Sequence, residues 1–352
     1  MRGRVIRMDK EIVVSGRAYL GLEAGMRDVE ICVVNGIIHS IDEVESAEDR
    51  WIFPCLFNSH THLADTVAMD IRAEGSLSEL VSPPEGLKHR ILARTGDDLL
   101  REGMKKSISF MMSSATPGFC DFREGGVKGV EILKSALEGF KADGIILGRD
   151  GGEEISDGIG VSSTKEGGDV IERAAHVKKN GGFVAFHAGE KDSRDVDPAI
   201  DAGADLLVHC THATDRQLKR CADEGIPIAI CPRSNWILGV ASGPDNPPVR
   251  KMLEFGCKVV LGTDNVMFIQ PDMFSEMAFM STVYGQGPEE VVNMAVGGSE
   301  VFGRNYFIEE KNKALFFAVD PVRANLSFSR DPVKTMANRM NFSYIERMYF
   351  KI

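Results

Sequence analysis

The sequence predicts a (β/α)8 TIM barrel with a small β-sandwich domain formed by the N- and C-terminal segments. Three observations lead there. Through the middle of the 352 residues, eight short apolar runs alternate with stretches of helical periodicity, the pattern of a parallel sheet covered by helices. Both ends instead read as short strands separated by turns. Four of the eight central runs end in a histidine or an aspartate, and the ends of barrel strands are where such folds place their chemistry.

The first ~50 residues contain GRVIRM (3–8), EIVVSG (11–16) and DVEICVVNGIIHSIDEV (28–44), with Asn35-Gly36 between two β-rich runs as a hairpin signal. The last segment has the same texture in ALFFAVD (314–320), ANLSFS (324–329) and NFSYIERMYFKI (341–352). Residues 1–50 and 305–352 are therefore expected to combine into the small sandwich, leaving 51–304 for the barrel. Its eight strand candidates are WIFPCLFN (51–58), ATPGFCDF (115–122), DGIILG (143–148), GIGVS (158–162), GFVAF (182–186), DLLVH (205–209), IPIAIC (226–231) and CKVVLG (257–262). Helices are expected at 97–113, 127–140, 169–179, 215–224 and 248–255, each with apolar residues three and four apart. The third crossover, 150–157, is too short and polar for a full helix. No G-x-G-x-x-G follows the first strand, which speaks against an open dinucleotide-binding sheet.

Composition narrows the function. The chain is 43% hydrophobic and 26% charged, and 41 Lys+Arg against 52 Asp+Glu give a net charge of −11. That balance argues against a broad basic footprint for nucleic acid or an anionic membrane. No apolar run approaches the ~18 residues of a bilayer span, and the N-terminus lacks a signal-peptide pattern, so a cytoplasmic protein is expected. The seven cysteines are scattered without a C-x-x-C pair and read as buried free thiols.

The first run leads into His60-Thr61-His62, the fifth into His187, the sixth into His209 and the eighth into Asp264. In an extended segment His60 and His62 face the same side, so both imidazoles can reach one ion. With His187 and Asp264 they make three neutral nitrogens and one carboxylate, a set suited to Zn²⁺ or Fe²⁺. A histidine or aspartate after a strand also serves as a hydrogen-bonded structural residue; here the combination favours a metal.

The motifs FNSHTHL (57–63), FHAGE (186–190), LVHCTHAT (207–214), CPRSN (231–235) and LGTDN (261–265) resemble the amidohydrolase superfamily, in its cytosine deaminase, chlorohydrolase and adenosylhomocysteine deaminase branch. The resemblance spans most of the barrel and is more specific for superfamily than for substrate. It implies one divalent metal, zinc before iron, held by His60, His62, His187 and Asp264. It also implies Glu190 as proton shuttle and His209 as the group contacting the substrate near the reacting carbon, with His212 as the alternative to His209. The implied activity is deamination of a cyclic amidine in a nucleobase-like heterocycle by metal-bound hydroxide, with Asp264 accepting the water proton. A cyclic amide or a C–Cl bond would suit the same site, and a silent scaffold homologue would need neither Glu190 nor four ligands. Binuclear relatives carry a carbamylated lysine after the fourth strand; the nearest here is Lys165, past the expected strand edge, so a single metal is favoured. A homo-oligomer is expected by analogy only.

Three arginines also follow barrel strands, Arg123, Arg149 and Arg233, and forked hydrogen bonds from them could hold an anionic substituent. Arg123 and Arg149 each have an adjacent acid, Glu124 and Asp150, so local pairing competes with that role. Arg149 is the first choice for the substrate. Asn235 and Trp236 are candidates for the pocket floor, Trp236 either stacking on a planar ring or anchoring packing. The long 63–95 connection is a candidate lid from which Lys88, His89 and Arg90 could enter the pocket, a solvated basic turn being the alternative.

Overall fold

The computed structural model describes residues 11–72, 74–165 and 169–350. The expected run GRVIRM (3–8) lies outside the described residues. The described residues begin with β1 (Glu11–Tyr19), β2 (Met26–Val34), β3 (Ile37–Glu43) and β4 (Trp51–Pro54). Asn35 and Gly36 both take positive φ, 52° and 80°, the geometry of the two-residue hairpin turn that their identities signal.

Eight parallel barrel strands follow. They are β5 (Phe57–His62), β6 (Gly118–Phe122), β7 (Asp143–Gly148), β8 (Gly158–Val161), β9 (Phe183–Ala188), β10 (Leu206–His209), β11 (Ile228–Ile230) and a last one broken into β12 (Val259–Leu261) and β13 (Asp264–Asn265). Neighbours pair in chain order from β5 to β12, and β13 pairs with β5 through Asp264↔Thr61 and Asn265↔His62, which closes the ring. The last strands among the described residues are β14 (Phe316–Val319) and β15 (Ile345–Met348). These join the N-terminal strands in one six-stranded mixed sheet, ordered β15-β14-β4-β1-β2-β3, so the expected sandwich takes the form of a single hydrogen-bonded sheet. Val14, Ala18, Val29, Ile31, Ile52 and Phe316 form its core.

Two expectations change in detail. WIFPCLFN is two strands, β4 in the small sheet and β5 in the barrel. Pro54 has no N–H to continue a ladder, the Cys55 N–H donates to Leu315 O at 2.9 Å, and the next N–H, of Leu56, donates to Ala115 O at 2.8 Å. The chain crosses between sheets at that step. ANLSFS is a turn, not a strand: the Asp320 carboxylate accepts from the N–H groups of Val322 and Arg323, and a helix, Pro332–Arg339, follows it.

The expected barrel helices form at Asp97–Ser113, Gly126–Leu137, Val170–Lys179, Asp215–Asp223 and Val249–Glu254, and the third crossover is one 3-10 turn, Gly152–Ile155. The long connection after β5 is not a simple loop. It holds a 3-10 turn (Leu63–Ala68), α1 (Leu77–Val81) and α2 (Leu87–Arg94) before α3 (Asp97–Ser113), with α4 (Gly126–Leu137) after β6. A capping box starts α1, the Ser76 hydroxyl accepting from Glu79 N–H while the Glu79 carboxylate accepts from Ser76 N–H. Among the described residues no helix is long and apolar enough to cross a membrane.

Candidate active site

The strand ends bring His60, His62, His187 and Asp264 together, one ligand atom from each lying within 4.8 Å of all the others, and all four residues are buried. His60 Nε2 is 3.2 Å from Asp264 Oδ1 and 3.2 Å from His187 Nε2, and His62 Nε2 is 3.4 Å from Asp264 Oδ1. The outer nitrogens fix the inner ones. His187 Nδ1 is 2.9 Å from Val161 O, and His62 Nδ1 faces two acceptors, Phe122 O at 3.1 Å and Glu124 Oε1 at 2.8 Å. A nitrogen facing only acceptors carries the proton, so both Nε2 atoms present lone pairs inward. Two imidazole nitrogens 3.2 Å apart in a buried site, next to a carboxylate, fit a shared cation better than each other. Three nitrogens and one oxygen suit zinc.

Burial pushes the His60, His62 and His187 imidazoles below the usual histidine range, His62 to about 3, which keeps them neutral. Burial works the other way on Asp264, but the hydrogen bond and electrostatic attraction of His60, with His209 and His62 beside it, outweigh burial and hold the carboxyl well below its ordinary value. The Ser234 hydroxyl donates to Asp264 Oδ2 at 2.6 Å, leaving Oδ1 for His60 and His62.

Close backbone approach shapes this corner. A Cβ on Gly262 would meet His60 N at 2.7 Å and His60 O at 2.9 Å, so only glycine lets the last strand pass His60. The Thr263 N–H donates to Asn58 Oδ1 at 3.0 Å, and Asn58 Nδ2 donates back to Thr263 Oγ1 at 2.8 Å. Asp264 then sits at φ 64°, and His209 at φ 77°. Left-handed backbone at non-glycine residues costs about 1–3 kcal/mol each and persists where the surroundings dictate it.

Glu190 and His209 stand beside the ligands. His209 Nε2 is 3.6 Å from Glu190 Oε1, and these two with Asp264 form a second close group. Burial raises the Glu190 carboxyl, partly offset by His209. His212 lines a different cavity, beside Asp215 and Asn246.

A pocket of about 250 Å³ opens over these groups. Of the three arginines only Arg149 reaches it, donating to the Ser162 hydroxyl and lying 3.8 Å from Glu124 Oε1. The other four candidate substrate contacts do not line this pocket. Arg123 is 2% exposed and turned into the barrel wall, paired with Asp121 at 3.2 Å and with Glu124. Arg233 is drawn to Glu276 and to the carbonyls of Gln270 and Asp272. Asn235 is fully buried, donating to Thr211 Oγ1 at 2.9 Å. Trp236 is 43% exposed, edge-on to Phe279, away from the pocket. Lys165 lines the pocket mouth with its ammonium 4.0 Å from Asp192, outside the ligand cluster.

The insert contributes what sequence reasoning left open. Lys88 is 3% exposed, its ammonium 2.7 Å from Glu124, 3.3 Å from Asp65 and 3.2 Å from Asn265 Oδ1. Burial would lower its pKa, but Asp65 and Glu124 raise it overall. Glu124, read from sequence only as a neighbour of Arg123, joins Lys88, Arg123 and His62. Burial opposes its charge, yet Lys88, His62 and Arg123 hold it well below the ordinary carboxylate range. Asp65 is left with the weaker share, and burial lifts it to about 7. His89, whose Nε2 is 3.0 Å from Val81 O, also lines the pocket.

A closed parallel barrel with this ligand cluster at its strand ends defines a metal-dependent hydrolase of the TIM-barrel class. Residues 157–317 match the family model described as adenosine deaminase. A protein described as an aminohydrolase from Methanothermobacter thermautotrophicus is 32% identical over 94% of this chain and 95% of its own length. Among solved structures, an atrazine chlorohydrolase from Arthrobacter aurescens TC1 complexed with zinc superposes with TM-score 0.79 at 14% identity, covering 92% of this chain and 90% of that one. A guanine deaminase from C. acetobutylicum with bound guanine gives TM-score 0.73 at 14% identity over 97% and 98% of the two chains. The chain belongs to the amidohydrolase superfamily, in the aminohydrolase family of its archaeal relative.

Proposed function

We propose that the chain is a zinc-dependent aminohydrolase that replaces the exocyclic amine of a small nitrogen heterocycle with oxygen, releasing ammonia. The observation that carries this is the buried His60, His62, His187 and Asp264 cluster with Glu190 and His209 beside it. Zinc in that cluster supplies Lewis acidity that makes water nucleophilic near pH 7. Asp264, with Oδ2 fixed by Ser234, takes a proton from the attacking water. Glu190, whose carboxyl burial favours the protonated form, gives a proton to the ring nitrogen and relays a second to the departing amine. His209 hydrogen-bonds the oxygen that gains charge. The new C–O bond replaces the C–N bond, so amidine plus water gives cyclic amide plus ammonia. Arg149 binds an electronegative substituent of the ring, carboxylate included, as the single arginine of the three that lines the pocket.

The test is ammonia release by zinc-quantified protein against purines, pyrimidines and pterins, each as neutral and carboxylated forms. Glu190→Gln should lower kcat at least a hundredfold while zinc stays at one per chain. Full turnover in that variant, or chloride or ring opening as the sole product, overturns the reading.

A further inference from the structure

A second cavity, of about 450 Å³, adjoins the metal pocket, the two sharing Pro83, His89, Glu124 and Arg149 in their walls. Its lining has a different character. Pro84, Leu92, Leu100, Met104 and Ile132 reach it from α2, α3, α4 and the turn before α2. Among the charged groups on its walls, Arg123 pairs with Asp121 and Glu124, the exposed Lys128 with Asp97 at 2.8 Å and the exposed Asp150 with Arg173 at 3.6 Å, while Arg149 stands on the side shared with the metal pocket. Most of the surface left to meet a ligand is hydrocarbon.

Size points the same way. Pockets for small molecules run about 300–1,000 Å³, so the metal pocket alone falls short of the range and the pair of cavities reaches well into it. The metal pocket has room for one heterocycle, and a group attached to that ring on the Pro83–Arg149 side has the chamber to enter. A sugar there would lose water against leucine, methionine and isoleucine. A hydrocarbon gains instead.

We propose that this chamber is a subsite for an apolar arm of the substrate, so that the preferred substrate is an amino heterocycle carrying a hydrocarbon-rich substituent. The inference rests on the aminohydrolase reading above and concerns different atoms of the substrate from those Arg149 holds. The probes are 6-aminopurines carrying a methyl or a butyl group at position 2, 8 or 9, titrated calorimetrically into the zinc-loaded protein and followed in parallel for ammonia.

Each buried methylene is worth about fourfold in affinity, so for at least one ring position butyl should bind about fiftyfold tighter than methyl. Leu100→Trp and Leu92→Trp, on different helices, each put an indole into the chamber and should shrink that ratio below about fivefold. Circular dichroism melts identify a variant that has not folded, and the other then carries the test. A butyl-to-methyl ratio near one at all three positions in the wild type, or a ratio untouched by a folded variant, overturns the proposal. Binding that grows with the arm without ammonia from any probe leaves the chamber standing and sinks the deaminase reading for 6-aminopurines; ammonia with a flat ratio does the reverse.

Discussion

Replacing Lys88 with methionine keeps the side-chain stem and removes the charge that ties the insert to the barrel. The ammonium is buried against Glu124 at 2.7 Å and Asp65 at 3.3 Å, inside a group that also holds Asp121 and Arg123. Three carboxylates thus face two cations, and the variant leaves Arg123 as the fully buried cation among them. Removing one partner of a buried pair costs about 3–5 kcal/mol. The lower figure applies here, because Asp65 is already lifted to about 7 and can take a proton instead of standing as a bare charge. At about 2 °C per kcal/mol for a chain of this size, Tm should fall by about 6 °C at pH 8 and by less at pH 6, where Asp65 protonates readily. Calorimetric melts of the variant with and without zinc measure this. Asp65→Asn added to Lys88→Met should restore part of the loss. A single variant melting within about 1 °C of wild type at pH 8, or a double variant no better than the single, would refute the account of the cluster.

Two further outcomes follow from the same geometry. Glu124→Gln removes the charge that holds the His62 Nδ1–H, and outer partners of metal-binding histidines are typically worth 10–100-fold in metal affinity. Chelator competition should therefore show zinc bound at least tenfold more weakly; an unchanged affinity denies Glu124 that orienting role. Asp65 sets a pH dependence: its carboxyl titrates near 7 in the folded chain and near the ordinary aspartate value when unfolded, so the folded state holds the extra proton between about pH 4 and 7. Its contribution to stability is present at the acid end of that window and is lost as pH rises through 7. In Asp65→Asn the position stays neutral, so the variant's Tm relative to wild type should rise between pH 5 and pH 8, and a flat difference would contradict the shift.

What could be read from the sequence was local. Strand ends, the alternation that puts His60 and His62 on one side, and helices such as Asp97–Ser113 follow from neighbours within a few residues. The partners of the charged residues do not. Arg233 looked free to bind substrate until the structure placed Glu276, 43 residues on, against it. Glu276 lies on Met273–Val283, a helix buried with methionine and phenylalanine on several sides, so it lacks the one-sided periodicity that marks surface helices. Lys88 and Glu124 are likewise joined only by the fold. A basic stretch such as Lys88-His89-Arg90 ordinarily lies in solvent, and the burial of Lys88 depends on Asp65 and Glu124, both distant from it in sequence. The break in the last strand was equally hidden, although Gly262-Thr263-Asp264 carries its cause in the glycine.

The strain and the buried charge serve one geometric end. A regular β12 running through to β13 would alternate its side chains with the barrel's pleat. The left-handed turn at Asp264 and the glycine that lets the strand slide past His60 instead set the carboxylate between His60 and His62. Such a conformation reverts unless something opposes it. Asn58 opposes it by gripping Thr263 on both backbone and side chain, and Ser234 opposes it by holding Oδ2. On the other side of the ligands, Glu124 anchors His62 and is itself kept charged by Lys88 and Arg123. Every metal ligand except His60 is thus fixed by a partner outside the cluster, and His60 is confined by the backbone of the last strand. The insert that carries Lys88 also carries His89 and the Val81–Pro83 wall of the pocket. A change of sequence there that kept Lys88 could therefore alter which ring or arm the site admits while leaving the ligand geometry intact.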